Sequence, residues 1–121
     1  MSNIPIEVIA YLAGHFDGEG CIDIALGSDG RPSTARVIVG ITYLPTLELY
    51  KKHFGGNIYA RQKLPNRKEN WVWGLQSRVE VAKFLLIVEP YLIEKKVKAL
   101  QAMEVIFKRL STGSATRHGP R

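Results

Sequence analysis

Two stretches of this chain abandon helical spacing for strict alternation, and each is turned back on itself by a segment dense in turn formers. Ile22, Ile24 and Leu26 alternate with Asp23 and Ala25, the pattern of a half-buried strand. Gly27 to Ser33 holds two glycines, a proline, an aspartate and two serines and closes a hairpin. The return strand runs from about Thr34 to Thr42 with Val37, Val39 and Ile41 on one face. A second hairpin runs from Asn57 to about Lys63, turns through Pro65 to Asn70, and returns with Trp71, Trp73 and Leu75 on one face. Strands apolar on one face need a cover, and helices supply it. Helical spacing is read over Ile4 to Gly18, from Pro45 to Phe54, over Arg78 to Val88, and from Glu94 to Leu110 after a break at Pro90. Gly55-Gly56 is expected to end the second helix as an αL cap. The predicted order is αββαββαα: an α+β domain over residues 1–110, with an antiparallel sheet, helices on one face and the other face open. Residues 111–121 are expected to be a disordered basic tail.

Composition narrows the class. The 121 residues suit one domain. A single cysteine, Cys21, excludes an internal disulfide framework and is expected to be buried. No apolar run reaches the roughly 20 residues that cross a membrane, and Met1-Ser2-Asn3 shows no basic region leading into an apolar stretch, so a signal peptide is not expected. An intracellular location is expected, without a choice between cytoplasm and organelle. The net charge of +6 favours an anionic partner such as nucleic acid.

The stretch Leu12-Ala13-Gly14-His15-Phe16-Asp17-Gly18-Glu19-Gly20 carries the chemistry. Asp17 and Glu19 fall in the last turn of a helix, where the dipole disfavours a carboxylate unless a cation arrives. Gly14 and Gly18 would let this helix approach another almost backbone to backbone, yet the chain holds no second copy of it. The close partner is then the same helix of another subunit. Two-fold symmetry would bring two Glu19 carboxylates together, a setting that suits a hard divalent cation.

This segment resembles the LAGLIDADG motif, and residues 4 to 110 resemble a single-motif LAGLIDADG homing endonuclease. Phe54-Gly55-Gly56-Asn57-Ile58-Tyr59 and Glu89-Pro90-Tyr91-Leu92-Ile93-Glu94-Lys95-Lys96 support the likeness. The resemblance implies a homodimer joined through the motif helix, with Tyr11, Gly14, His15 and Gly18 at the interface. It implies that Glu19 and the Gly18 carbonyl hold the metal, and that Lys95 is the basic catalytic residue. Mg²⁺ is the implied cofactor, with Mn²⁺ a substitute and Ca²⁺ binding without supporting cleavage. The implied reaction is hydrolysis of both strands of a long pseudo-palindromic duplex across the minor groove, leaving 3′ overhangs and promoting intron mobility. The four-stranded sheets of the two subunits would form a saddle over the DNA. The alternative on the same fold is a binding protein without strong cleavage, an RNA maturase acting on intron RNA or a DNA-binding regulator.

Three positions depart from the family pattern. His15 stands where a large apolar residue is usual, Glu19 where Asp is commonest, and Tyr43 where a Gln is common. Strand parity predicts an outward face of Asp23, Ala25, Thr34, Arg36, Ile38, Gly40, Tyr59, Arg61, Lys63, Val72 and Gln76. Arg36, Arg61 and Lys63 are candidates for guanine or phosphate contacts and Gln76 for adenine, with Thr34, Asp23 and Tyr59 on the same face. Arg31, Arg67 and Lys68 at the hairpin tips are candidates for phosphate.

Overall fold

The alternation in the two hairpins is the register of the sheet. This computed structural model describes residues 3–41, 43–61, 65 and 70–117, with side chains as far as residue 110. Strands β1 (Gly20–Leu26), β2 (Pro32–Ile41), β3 (Asn57–Ala60) and β4 (Trp71–Leu75) form one antiparallel sheet in the order β1-β2-β4-β3. Ile22 lies opposite Val37, and Val37 opposite Leu75. Val39 lies opposite Trp73, and Trp73 opposite Ile58. One face of the sheet is therefore apolar throughout.

Helices α1 (Ile6–Glu19), α2 (Leu44–Phe54), α3 (Arg78–Val88) and α4 (Lys96–Arg117) cover that face. A short 3-10 turn, Glu89–Tyr91, carries the chain through Pro90 between the last two helices. The layers are locked by rings. Trp73 stacks on Tyr50 at 4.5 Å, and Phe84 meets Phe16 and Phe54 edge-on at 5.0 and 4.8 Å. Such pairs add about 0.5–1.5 kcal/mol each beyond the area they bury. Trp73 also donates its indole N–H to the Gly55 carbonyl at 2.8 Å, so its one polar atom is satisfied in the core.

Several boundaries differ from the sequence reading, each for a local reason. Pro5 caps α1 from outside, its carbonyl accepting from the Val8 and Ile9 N–H groups, and the helix continues through Glu19. Gly55 has a positive φ of 80° but a ψ of −152°, so the end of α2 is not the expected αL cap. Gly56, at φ 85°, lies where a Cβ would come 2.5 Å from the Gly74 carbonyl, which excludes any other residue. The α4 backbone is helical to Arg117, past Leu110 where the apolar stripe ends, so the segment read as a tail begins within the helix. Cys21 is exposed, not buried: it lies opposite Ile38 on the open face, because Ile22 points inward.

Candidate active site and nucleic-acid interface

The α1 helix ends where the sheet begins. A Cβ at Gly20 would run into the Phe16 ring, so a glycine is required where the chain turns from helix to strand. Glu19, one residue earlier, is exposed and has no hydrogen bond or ion pair among the described residues. Its carboxylate stands at the negative end of α1 without a cation of its own, a donor that suits a hard divalent ion. Among the described residues no three His, Cys, Asp or Glu side chains cluster. Glu19 and the Gly18 carbonyl could supply two oxygen donors to such an ion.

Asp17 faces the other way and fastens α1 to the segment ahead of α4. Its carboxylate accepts from the backbone N–H groups of Ile93 and Glu94 at 3.0 Å each and of Lys95 at 2.8 Å. Desolvation pushes its pKa up, but these N–H donors and the Lys95 charge outweigh it and leave the pKa below the ordinary 3.8. Lys95 completes the arrangement by donating its ammonium to the Asp17 carbonyl at 2.7 Å. A positive charge is thereby held on the Asp17 carbonyl, in the last turn of α1.

Asp17→Ala is expected to lower unfolding stability by about 1–2 kcal/mol, since three charge-assisted bonds are lost at a partly exposed site. A depressed pKa contributes stability that is complete above the ordinary carboxylate value and lost as pH falls through the folded value. Urea titrations of wild type and Asp17→Asn should therefore show a gap at neutral pH that closes below about pH 4.

A shallow depression of about 530 Å³ opens beside Glu19, lined also by Tyr11, His15, Gly40, Ile41, Tyr43, Thr46 and Asn70. Tyr43 is 66% exposed there. His15 turns its Nδ1 to the Tyr50 hydroxyl at 2.9 Å, and that hydroxyl donates to the Leu12 carbonyl at 3.2 Å. Burial lowers the His15 pKa below 6.5, against the opposing pull of the Glu19 charge. Burial, with Tyr11 and Glu19, raises the Tyr50 pKa well above 10, so the phenol keeps its proton. Asn70 was missed in the sequence, where it read only as a turn residue. Its Oδ1 is buried and has no hydrogen-bond partner among the described residues; its parity with Val72 could have placed it on this face.

The open face of the sheet carries the residues expected from parity. Asp23 lies opposite Arg36, Ala25 opposite Thr34, and Tyr59 opposite Val72. Arg36 is not free: its Nη2 and Nε meet Asp23 Oδ2 at 2.9 and 3.0 Å. A shallow cleft of about 200 Å³ brings together Arg36, Ile38, Tyr59 and Gln76, with Asn57, a polar residue the sequence reading overlooked. Arg61 reaches across the sheet, its guanidinium 3.0 Å from where a Gly40 Cβ would stand. Val72, between Gly40 and Tyr59 in the register, is only 2% exposed, so it offers nothing to a ligand. Arg31 is exposed at the tip of the first hairpin. Lys63, Arg67 and Lys68 lie outside the described residues.

The outer face of α1 has its own character. Glu7, Ala10, Tyr11, Gly14 and Gly18 are exposed along it, and a Cβ added at Gly14 or Gly18 would meet nothing within 4 Å. Among the described residues, nothing requires those glycines. His15 borders this face with its ring turned inward to Tyr50.

No family model matches the chain, and no curated protein does either. Solved structures do. The homing endonuclease I-CvuI in complex with its target superposes with a TM-score of 0.68 at 21% identity, covering 90% of this chain and 73% of that one. The archaeal intron-encoded homing endonuclease I-Vdi141I, complexed with DNA, gives 0.68 at 21% identity over 85% and 69%. The group I intron-encoded homing endonuclease I-CeuI, also with DNA, gives 0.70 at 19% identity over 96% of this chain and 61% of that one. The four-stranded sheet with its motif helix and covering helices is the homing-endonuclease fold.

Proposed function

We propose that this chain is one protomer of a LAGLIDADG homing endonuclease, a homodimer that hydrolyses both strands of a long pseudo-palindromic DNA duplex. The observation that carries this reading is the end of α1. There a Glu19 carboxylate with no hydrogen bond or ion pair among the described residues, a Lys95 ammonium held on the Asp17 carbonyl, and a helix face with two glycines that no described residue crowds occur together. The likeness to I-CvuI, I-Vdi141I and I-CeuI, each solved with DNA, supports it.

In this reading the glycine faces of two α1 helices meet, and the two Glu19 residues come together at the scissile phosphates. Glu19 and the Gly18 carbonyl would hold Mg²⁺ or Mn²⁺, which when bound supplies Lewis-acid charge at the phosphate and lowers the pKa of water. Structures similar to this one were solved with Ca²⁺ and with Mg²⁺. Lys95 offsets charge that develops on the phosphoryl oxygens. Arg36, Arg61, Gln76, Asn57 and Tyr59 face the major groove, and a dimer brings a net charge of about +12 to the duplex. A binding protein without cleavage is the second reading, favoured by one observation: Tyr43 stands exposed beside Glu19 where a water-holding Gln is common.

The test is selection of bound duplexes from a randomised pool in Ca²⁺, followed by incubation of the selected DNA in Mg²⁺ or Mn²⁺. Recovery of a pseudo-palindrome cut on both strands with 3′ overhangs is expected. Tight binding with intact DNA in both metals would overturn the nuclease in favour of the second reading.

A further inference from the structure

Two outward residues of the sheet are tied to each other. Asp23 on β1 and Arg36 on β2 are cross-strand partners on the open face, since their neighbours Ile22 and Val37 are buried on the other. Both bonds of the pair end on one atom: Arg36 Nε and Nη2 donate to Asp23 Oδ2 at 3.0 and 2.9 Å. Those two nitrogens form one edge of the planar guanidinium. The third, Nη1, makes no hydrogen bond among the described residues. The edge made by Nη1 and the second Nη2 proton is therefore available, and the carboxylate fixes the plane in which it lies. Both side chains stay about half exposed, at 48% and 46%, so the pair is open to a ligand. The cleft beside Arg36 holds Asn57, Tyr59 and Gln76 and a further carboxylate, Glu80, which forms no ion pair among the described residues. An exposed ion pair adds little to stability. Its main consequence is the orientation of Arg36.

We propose that Asp23 is a positioning residue for sequence reading: it holds the Arg36 guanidinium so that its free edge pairs with O6 and N7 of one guanine in each half-site. The proposal rests on the DNA-binding part of the reading above and is independent of cleavage. Two parallel N–H donors match the two acceptors of guanine, and no other base offers two acceptors in the major groove. The negative charge has a second effect. Asp23 repels phosphates, and without it an untethered Arg36 can turn to the nearest phosphate instead of a base. Asp23 thus lowers affinity for every duplex and raises discrimination among them.

The experiment repeats the selection from a randomised duplex pool in Ca²⁺ with the full chain as wild type, Asp23→Ala and Arg36→Lys. Affinities are then measured for the selected site, its single-base variants and an unrelated duplex. Wild type is expected to prefer guanine at one position of each half-site by about tenfold or more. Arg36→Lys keeps the charge but not the fork, and is expected to lose that preference at that position alone. Asp23→Ala is expected to reduce the preference at the same position by about fivefold or more, while binding the unrelated duplex about twofold tighter. A pair that only fastened β1 to β2 would instead give a uniform loss of affinity in Asp23→Ala, with a lower unfolding midpoint in urea. That result overturns the proposal and leaves the DNA-binding reading intact. So does an unchanged guanine preference in either variant, or loss at different positions in the two. Wild type that selects no sequence would sink both.

Discussion

Glu19→Gln is expected to slow DNA cleavage by about 10³-fold or more, equivalent to about 4 kcal/mol of lost transition-state stabilisation. Glutamine keeps the length and volume of the side chain and removes only its charge. The carboxylate is exposed, bonded to nothing among the described residues, and stands at the unfavourable end of α1. Its removal should therefore not harm the fold, and relief from the helix dipole should raise stability by a few tenths of a kcal/mol, of order 0.3. In EDTA the variant should bind duplex at least as tightly as wild type, because two negative charges are withdrawn from beside the phosphates of each complex. Gel-based cleavage rates, fluorescence anisotropy and thermal melts read the three effects separately. Full cleavage by Glu19→Gln would remove this residue from the site altogether.

The sheet was legible because alternation has one consequence: once Ile22 and Val37 face inward, Asp23, Thr34 and Arg36 must face out, and they do. Cys21 obeys the same parity, and expecting it buried weighed its residue type above its position. Val72 shows what alternation cannot tell. It points to the open face yet is buried between its neighbours Gly40 and Tyr59, beside a position occupied by the Arg61 guanidinium. Burial by neighbours on adjoining strands has no local pattern. At the site, Glu19 and Lys95 were singled out from the motif and its downstream segment, and the structure joins the two segments by bonding the Lys95 ammonium to the Asp17 carbonyl. The use of Asp17 was not, because its three donors lie 76 to 78 residues away in the chain. The His15 contact with the Tyr50 hydroxyl was equally hidden, since Tyr50 lies on α2, 35 residues distant.

Gly14→Leu is expected to strengthen the protomer and abolish its assembly. A side chain at position 14 has open space within the chain, so nothing resists it in the folded protomer. Replacing an interior helical glycine should add about 0.5–1 kcal/mol of stability. If two α1 helices cross at this point, each leucine is driven into the partner helix, and the mutual overpacking costs about 1–3 kcal/mol per side. Self-association should then weaken by at least about 10²-fold, and double-strand cleavage should go with it. Sedimentation measures the assembly and denaturant unfolding measures the protomer. A leucine that raised stability and left a fully active dimer would place the interface elsewhere. Gly20 cannot serve this purpose, because Phe16 would clash with any side chain there and the fold would fail first. At Gly14 the two effects carry opposite signs, and only a surface whose close contact lies outside the chain produces both.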